Sequence, residues 1–386
     1  MDFSLSEEHM MLKESVAKFA AKELQPIAEE IDQEDKWPEG MWKKLANLGI
    51  MGITVDTEYG GAGADILAGA LVCEELAKVS SAVALSWGTH VNLCCNNLNN
   101  NANEQQKKKF LPPLCSGVHI GALGLTEPNA GSDAVNIQTI ARKEGDHYVL
   151  NGTKMFITNG PVADTVIIYA KTDKSLGPRG ITAFILDTKT PGFSVSRSLA
   201  KVGNRGSKTG ELVLEDCIVP AENILGQENN GISVMMGGLD VERAFLCTLA
   251  LGVAEAAFAE ALKYSKERVQ FGKPIASFQL IQAKLADMYT QIESSRLLCY
   301  KAAILAGSAK RGGKGTEIHL IAAAAMLQTA EMCCKVCEEA VQIHGGYGYC
   351  LEYPVQRYWR DAKLCTLGAG TSEIRRLIIA RELLKM

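Results

Sequence analysis

An excess of basic charge is the first thing the sequence lacks: 40 lysines and arginines stand against 44 aspartates and glutamates, for a net charge of −4. A protein that neutralises nucleic-acid phosphates draws on surplus cations, so the balance argues mildly against that class of partner and none is expected. No apolar run approaches the ~20 residues that cross a bilayer, so no integral membrane segment is expected. Neither a signal peptide nor an Arg-rich transit segment precedes the first folded pattern. The expectation is a cytoplasmic protein of bacterial type, or a mitochondrial matrix protein if the chain is a processed organellar one. Also missing is a second Cys/His pair at zinc-finger spacing beside CCKVC, Cys333 to Cys337. That run lies in a helical pattern flanked by Ala and Met, so core packing is expected there and no metal. The twelve cysteines fit reduced thiols in a chain too long to be a disulfide scaffold. The glycines of GIMGITVDTEYGGAG, Gly49 to Gly63, lack the spacing of a dinucleotide fingerprint and read as a loop.

What is present divides into three zones, as suits 386 residues, more than one core usually serves. Residues 1–120 carry apolar positions at three- and four-residue spacing, in Leu12, Val16, Phe19 and Ala20 and again around Met41, Leu45 and Leu48. Ser6, followed by Glu7 and Glu8, predicts the first helix start. Residues 121–234 change period: HYVLNG, DTVIIYAKT, GITAFILDT and TGELVLEDCIVP predict strands in a small antiparallel barrel or sandwich. Residues 235–386 turn helical from Leu239, with long segments over Arg243–Glu267, Ser277–Ala306 and Thr316–Gln342. The linker SAKRGGKGTE separates the last two. The fold class is α+β and multi-domain: an N-terminal helical domain, a middle antiparallel β barrel or sandwich, and a C-terminal four-helix bundle.

Four segments carry chemistry. GLTEPNAGSD (Gly124 to Asp133) and MFITNG (Met155 to Gly160) read as small-residue loops that bring backbone N–H groups and the hydroxyls of Thr126, Ser132 and Thr158 against a planar polar ligand. RVQFGKPIASFQ offers Arg268, whose guanidinium suits phosphate, although a solvated helix end would look the same. QIHGGYGY offers paired glycines for close backbone approach, and Gly345 is equally a helix C-cap. The fourth is TLGAGTSEIRR, Thr366 to Arg376.

In this order, over Phe3 to Leu384, these segments resemble the acyl-CoA dehydrogenase family. The resemblance implies non-covalent FAD, a homotetramer, and removal of a Cα proton from an acyl-CoA thioester by a base. Hydride from Cβ goes to the flavin, and the electrons pass to an electron-transferring flavoprotein. By the same resemblance Leu125, Thr126, Ser132, Phe156 and Thr158 line the flavin, while Arg268, Phe271 and Gln279 reach the FAD of a neighbouring subunit. Gln342, Gly345 and Gly346 approach the adenosine pyrophosphate portion, and Thr371 and Glu373 close the cofactor site.

Many members of that family carry a catalytic Glu where this chain has Ala369. An α proton is too weakly acidic to leave without a positioned acceptor. LDVERAF, Leu239 to Phe245, supplies Glu242 where many relatives have a small residue. The isovaleryl-CoA dehydrogenase branch places its base there and pairs it with a Gly-Ala-Gly-Thr-Ser-Glu loop, which matches Gly368 to Glu373. Further matches are HVNLCCNNL, ITNGPVAD, RGITAFI and FQLIQAKLADMY. The resemblance makes Glu242 the base and the Ala369 N–H a donor to the thioester carbonyl. Gly368, Ala369 and Gly370 leave volume for a branched acyl group, and overpacking there would cost about 1–3 kcal/mol. Asp240 and Arg243 are expected against the pantetheine and adenosine parts of CoA.

Ser233 stands where an aromatic residue is expected in the acyl pocket, Tyr347 where that branch tends to have Asn, and Gly124 and Leu125 in a stretch that often reads differently. These departures leave a cyclic or straight short-chain acyl-CoA as alternatives. Two further readings are a catalytically silent flavin-binding partner protein and an oxygen-using flavin oxidase.

Overall fold

The computed structural model describes residues 4–308 and 312–385. Three residues near the start of the expected linker SAKRGGKGTE, 309–311, lie outside the described residues, as do residues 1–3 and 386. Seven α-helices come first: α1 (Glu7–Phe19), α2 (Ala28–Glu34), α3 (Met41–Asn47), α4 (Ile66–Val79), α5 (Ser81–Gly88), α6 (Asn97–Asn101) and α7 (Glu104–Cys115). Ser6 caps α1 as predicted, its hydroxyl accepting the His9 N–H at 3.2 Å. A π-helical stretch, Thr89–Asn96, joins α5 to α6.

Eight strands follow: β1 (Gly121–Gly124), β2 (Ile140–Glu144), β3 (His147–Thr158), β4 (Thr165–Lys171), β5 (Ile181–Asp187), β6 (Phe193–Ser198), β7 (Thr209–Pro220) and β8 (Ile224–Leu225). They form one sheet in the order β6-β7-β3-β2-β4-β5-β8, with β1 paired to β4 off that path. Most pairings are antiparallel, but β1 and β2 each run parallel to β4. The period-2 alternation of β4 and β5 feeds two cores. Val166, Ile168, Phe184 and Leu186 pack with Tyr148, Leu150, Leu212 and Leu214 of β3 and β7, so the sheet folds over on itself as a sandwich. Ile167, Tyr169, Ala183 and Ile185 face the other way, toward α7 and the start of the next helix.

That helix, α8 (Gly231–Glu267), begins eight residues before Leu239. GISVMMGG contains three glycines and two β-branched residues, a poor helix former, and tertiary packing overrides the propensity. After the short hairpin β9 (Val269–Gln270) and β10 (Lys273–Pro274) come α9 (Gln279–Ser308), α10 (Glu317–His344), α11 (Val355–Cys365) and α12 (Ser372–Leu384). The helices α8, α9 and α10 pack on one another, and α11 and α12 pack on α10. Two of these, α8 and α10 with its 3₁₀ extension to Tyr349, are long and apolar enough to cross a membrane by length and composition, which the expectation of no such segment passed over. Over their most apolar windows both are mostly buried in protein, as a core helix that is apolar all round must be.

The N-terminal helices and the C-terminal bundle are not separately packed. Leu71, Leu76 and Trp87 share one continuous core with Leu249, Val253, Ala303 and Met326. An ion pair joins the same two zones. Asp32 of α2 is buried, and Arg360 of α11 grips both its oxygens at 2.9 and 2.5 Å. Asp32→Asn keeps the shape and removes the charge from this fork, so a loss of about 1–3 kcal/mol is expected, read as a lower melting temperature with unchanged secondary structure. A melting curve that overlays that of the parent would contradict it.

Candidate active site

Glu242 lies eleven residues into α8, four after Gly238, and its side chain is half-buried. Burial pushes its carboxyl up to about 7, against the opposing pull of Arg243 and Arg375. A carboxylate poised there is half-ionised near neutral pH, the condition that general-base catalysis favours. Tyr169 of β4 faces it: burial raises that phenol, a nearby Asn97 lowers it, and the Glu242 charge raises it again.

The loop between α11 and α12 faces α8. Ala369 is left-handed, at φ +55°, and Gly370 follows at φ +91°. An alanine in that region carries a steric cost of roughly 1–2 kcal/mol, so something must hold it. Two guanidinium groups do. Arg243 donates from Nε to the Ala369 carbonyl at 3.1 Å, and Arg375 donates from Nη2 to the Gly368 carbonyl. Across a trans peptide the C=O and N–H point in opposite directions. With its carbonyls turned to the arginines, the loop has the Ala369 N–H on the other side, and no acceptor takes it among the described residues. Thr371 caps α12 by accepting the Ile374 N–H at 3.3 Å, and Glu373 stands exposed in the first turn.

Three expected substrate contacts, Asp240, Arg243 and Ser233, differ in burial. Asp240 is fully buried, and its oxygens accept from Arg243 Nη1 at 2.9 Å and the Gly313 N–H at 2.6 Å, with His319 Nδ1 at 2.7 Å. In that position it braces Arg243. Arg243 is itself buried and turned to the Ala369 loop. Ser233 is exposed and nine residues before Glu242. At 100° and 1.5 Å per residue that is the opposite face of α8 and roughly 13 Å along its axis, too far to line a pocket at the base.

The two expected loops of the middle zone are one loop and one strand end. MFIT completes β3, where a register shift between Lys154 and Ile157 bulges the strand. Phe156 adopts φ +62° at that bulge, and its ring stands 65% exposed. Thr126 and Thr158 are half-buried, Ser132 is exposed, and Leu125 is buried beneath them. A buried ion pair fixes this surface from below. Lys154 Nζ donates to Glu127 at 2.7 Å and to the Leu125 carbonyl at 3.2 Å, while Glu127 also accepts the backbone N–H groups of Gln138 and Thr139. The Met155 N–H donates to the Thr126 carbonyl at 2.8 Å. The exposed Phe156 ring and the hydroxyls of Thr126, Ser132 and Thr158, on segments held by the Lys154–Glu127 pair, are groups that suit a flavin ring.

Arg268, Gly345 and Gly346 meet at a second place, a cleft of about 470 Å³ with Tyr264 and Tyr347 on its walls. The Arg268 guanidinium lies over the Tyr347 ring at 5.3 Å, and Gly345, at φ +61°, is the C-cap of α10. Gln342 is exposed nearby, one turn before the cap. Phe271 is 91% exposed at a left-handed turn and contacts Phe278, the residue before Gln279. Among the described residues no hydrogen bond or ring contact links this cleft to the Phe156 surface within one chain.

Arg375, Lys154 and Glu127 were not singled out in the sequence. Arg375 and Arg376 are adjacent and alike there, yet Arg375 is fully buried and Arg376 exposed. The available signal was helical phase: Arg375 lies three residues after the buried Ser372, on the inner face of α12.

Family models for the acyl-CoA dehydrogenase N-terminal, middle and C-terminal domains match residues 6–118, 122–217 and 229–384. The chain is 48% identical to a mitochondrial isovaleryl-CoA dehydrogenase of Pongo abelii over 98% of its own length and 89% of the relative's. It is 46% identical to a short-chain-specific acyl-CoA dehydrogenase of Clostridium acetobutylicum over the full length of both. The solved butyryl-CoA dehydrogenase from Megasphaera elsdenii superposes with a TM-score of 0.96 at 45% identity, covering both chains completely.

Proposed function

The chain belongs to the acyl-CoA dehydrogenase family, an FAD-dependent group of oxidoreductases, and on that premise we propose that it oxidises a short, branched acyl-CoA of isovaleryl type to the enoyl-CoA with Glu242 as base. The observation that carries this reading is the pairing of a half-buried Glu242, its carboxyl pushed up to about 7, with a side-chain-poor loop at Gly368–Gly370. The ionised Glu242 takes the α proton. The Ala369 N–H donates to the thioester oxygen and stabilises the negative charge that develops there, a contribution of ~2.7–4 kcal/mol for such a donor. Leu125, Thr126, Ser132, Phe156 and Thr158 would hold the ring of FAD, which when bound would supply the acceptor for the hydride that leaves Cβ. Arg268, with Gly345 and Gly346, would hold the phosphate end of the FAD of a neighbouring subunit. The separation of that cleft from the Phe156 surface within one chain supports an assembly of at least two copies, and the family resemblance supports a homotetramer and electron transfer to an electron-transferring flavoprotein.

The test is anaerobic titration of the FAD-loaded protein with isovaleryl-, butyryl-, octanoyl- and cyclohexanecarboxyl-CoA, following loss of the visible flavin band. Isovaleryl-CoA should bleach it fastest, with a second-order rate that rises with pH through about 7 as Glu242 ionises. Faster bleaching by butyryl-CoA would replace the branched substrate with a straight one. No bleaching by any of the four would remove the reading.

A further inference from the structure

Arg375 has no exposed surface, yet among the described residues its guanidinium makes only one hydrogen bond, from Nη2 to the Gly368 carbonyl, and Nε and Nη1 find no partner there. No carboxylate comes within ion-pair distance of it among the described residues, and its sulfur neighbours, Cys365 and Cys247, are thiols that burial holds well above their usual pKa. An unpaired buried cation is costly. Burial pushes Arg375 itself down to about 10, with Glu242 among the groups that oppose that shift. The charged and titratable groups facing Glu242 are therefore Arg243 from its own helix, Arg375 from α12 and Tyr169 from β4, with Asp240 and His319 behind Arg243.

We infer that Arg375 is a positioning residue of the reaction: its hold on the Gly368 carbonyl directs the Ala369 N–H toward the thioester oxygen, and its guanidinium is the second cation facing Glu242. The geometry follows from one peptide plane. Gly368 C=O and Ala369 N–H belong to the same trans peptide, so anchoring the oxygen to a sealed side chain aims the hydrogen away from it. Arg243 anchors the next carbonyl, at Ala369, and the strained left-handed alanine lies between the two anchors. The buried unpaired charge, a poor choice for stability, is then explained by the base it faces.

This inference rests on the proposed reaction, and the test separates the two. FAD-loaded Arg375→Gln and Arg375→Lys are compared with the parent by single-turnover flavin bleaching across pH 5.5–9. In parallel, α-proton exchange into D₂O is followed for 3-thiabutyryl-CoA, which has an α proton but no β hydride to give. Arg375→Gln should slow both processes roughly 10–100-fold. It should also move the acid-side midpoint to higher pH by about one unit, because a cation that favours the carboxylate is gone. Arg375→Lys should keep the midpoint near the parent value and still lose at least roughly 10-fold in rate, since an ammonium cannot reproduce the planar fork. If Arg375→Gln fails to load FAD, the lysine variant decides: parental rate would overturn the inference. A slow Arg375→Gln with an unmoved midpoint would also overturn it, by reducing Arg375 to packing. A parent protein that neither bleaches nor exchanges would defeat the proposed reaction instead.

Discussion

Glu242→Gln should yield a folded, yellow protein whose flavin is bleached roughly 10²–10⁴-fold more slowly by acyl-CoA, the range that loss of a positioned general base produces. The substitution is isosteric, and it leaves Arg243 with its bonds to Asp240 and the Ala369 carbonyl. Folding should not suffer. The Glu242 carboxyl is raised from 4.5 to about 7 in the folded chain, so the folded state binds that proton more tightly than the unfolded one. Ionising it therefore costs stability as pH rises from 4.5 through about 7, and a neutral glutamine escapes that cost. The variant should melt no lower than the parent at pH 8, and its residual rate should lose the acid limb. A rate within a few-fold of the parent would show that the base is elsewhere. A collapsed rate with an intact acid limb would mean that another group titrates.

Lys154→Met should strip FAD from the protein. The lysine is fully buried between β3 and the loop after β1, and burial pushes it down to about 8 although Glu127 opposes the shift. Removing it leaves the Glu127 carboxylate buried with only its donors from Gln138 and Thr139, a loss on the order of 3–5 kcal/mol. The damage falls where the Leu125 carbonyl and the Phe156 bulge are held in register. Flavin content after dialysis should fall well below the parent's. Lys154→Met combined with Glu127→Gln removes the orphaned charge and should recover much of the stability. A single variant that keeps its full flavin would show that the pair does not organise this surface.

Much of the plan was legible in sequence because local periodicity reflects local physics. Ser6 before Glu7 and Glu8 marked a helix start, and β-branched alternation marked β3, β4, β5 and β7. The ordered motifs marked the family, and the small residues at 368–370 together with Glu242 are what the proposal of a displaced base starts from.

What the chain does at long range was decided only by the tertiary structure. The early start of α8 depends on packing against the sheet, which outweighs the low helix propensity of GISVMMGG. The 155–158 segment is a strand end with a bulge because β7 pairs with it from fifty residues away. Asp240 and Arg243 look like ligand contacts in the sequence, yet both are buried in the fold, Arg243 against the Ala369 carbonyl and Asp240 behind it against Arg243, Gly313 and His319. Arg375 and Arg376 are the same residue type side by side, and only the phase of α12 against α10 sends one into the core and leaves the other in water. Sequence determines which groups are available and how each short segment is shaped. Which of those groups lose their water, and which partner each then finds, depends on how distant segments pack, as where Arg243 meets the Ala369 carbonyl 126 residues further on.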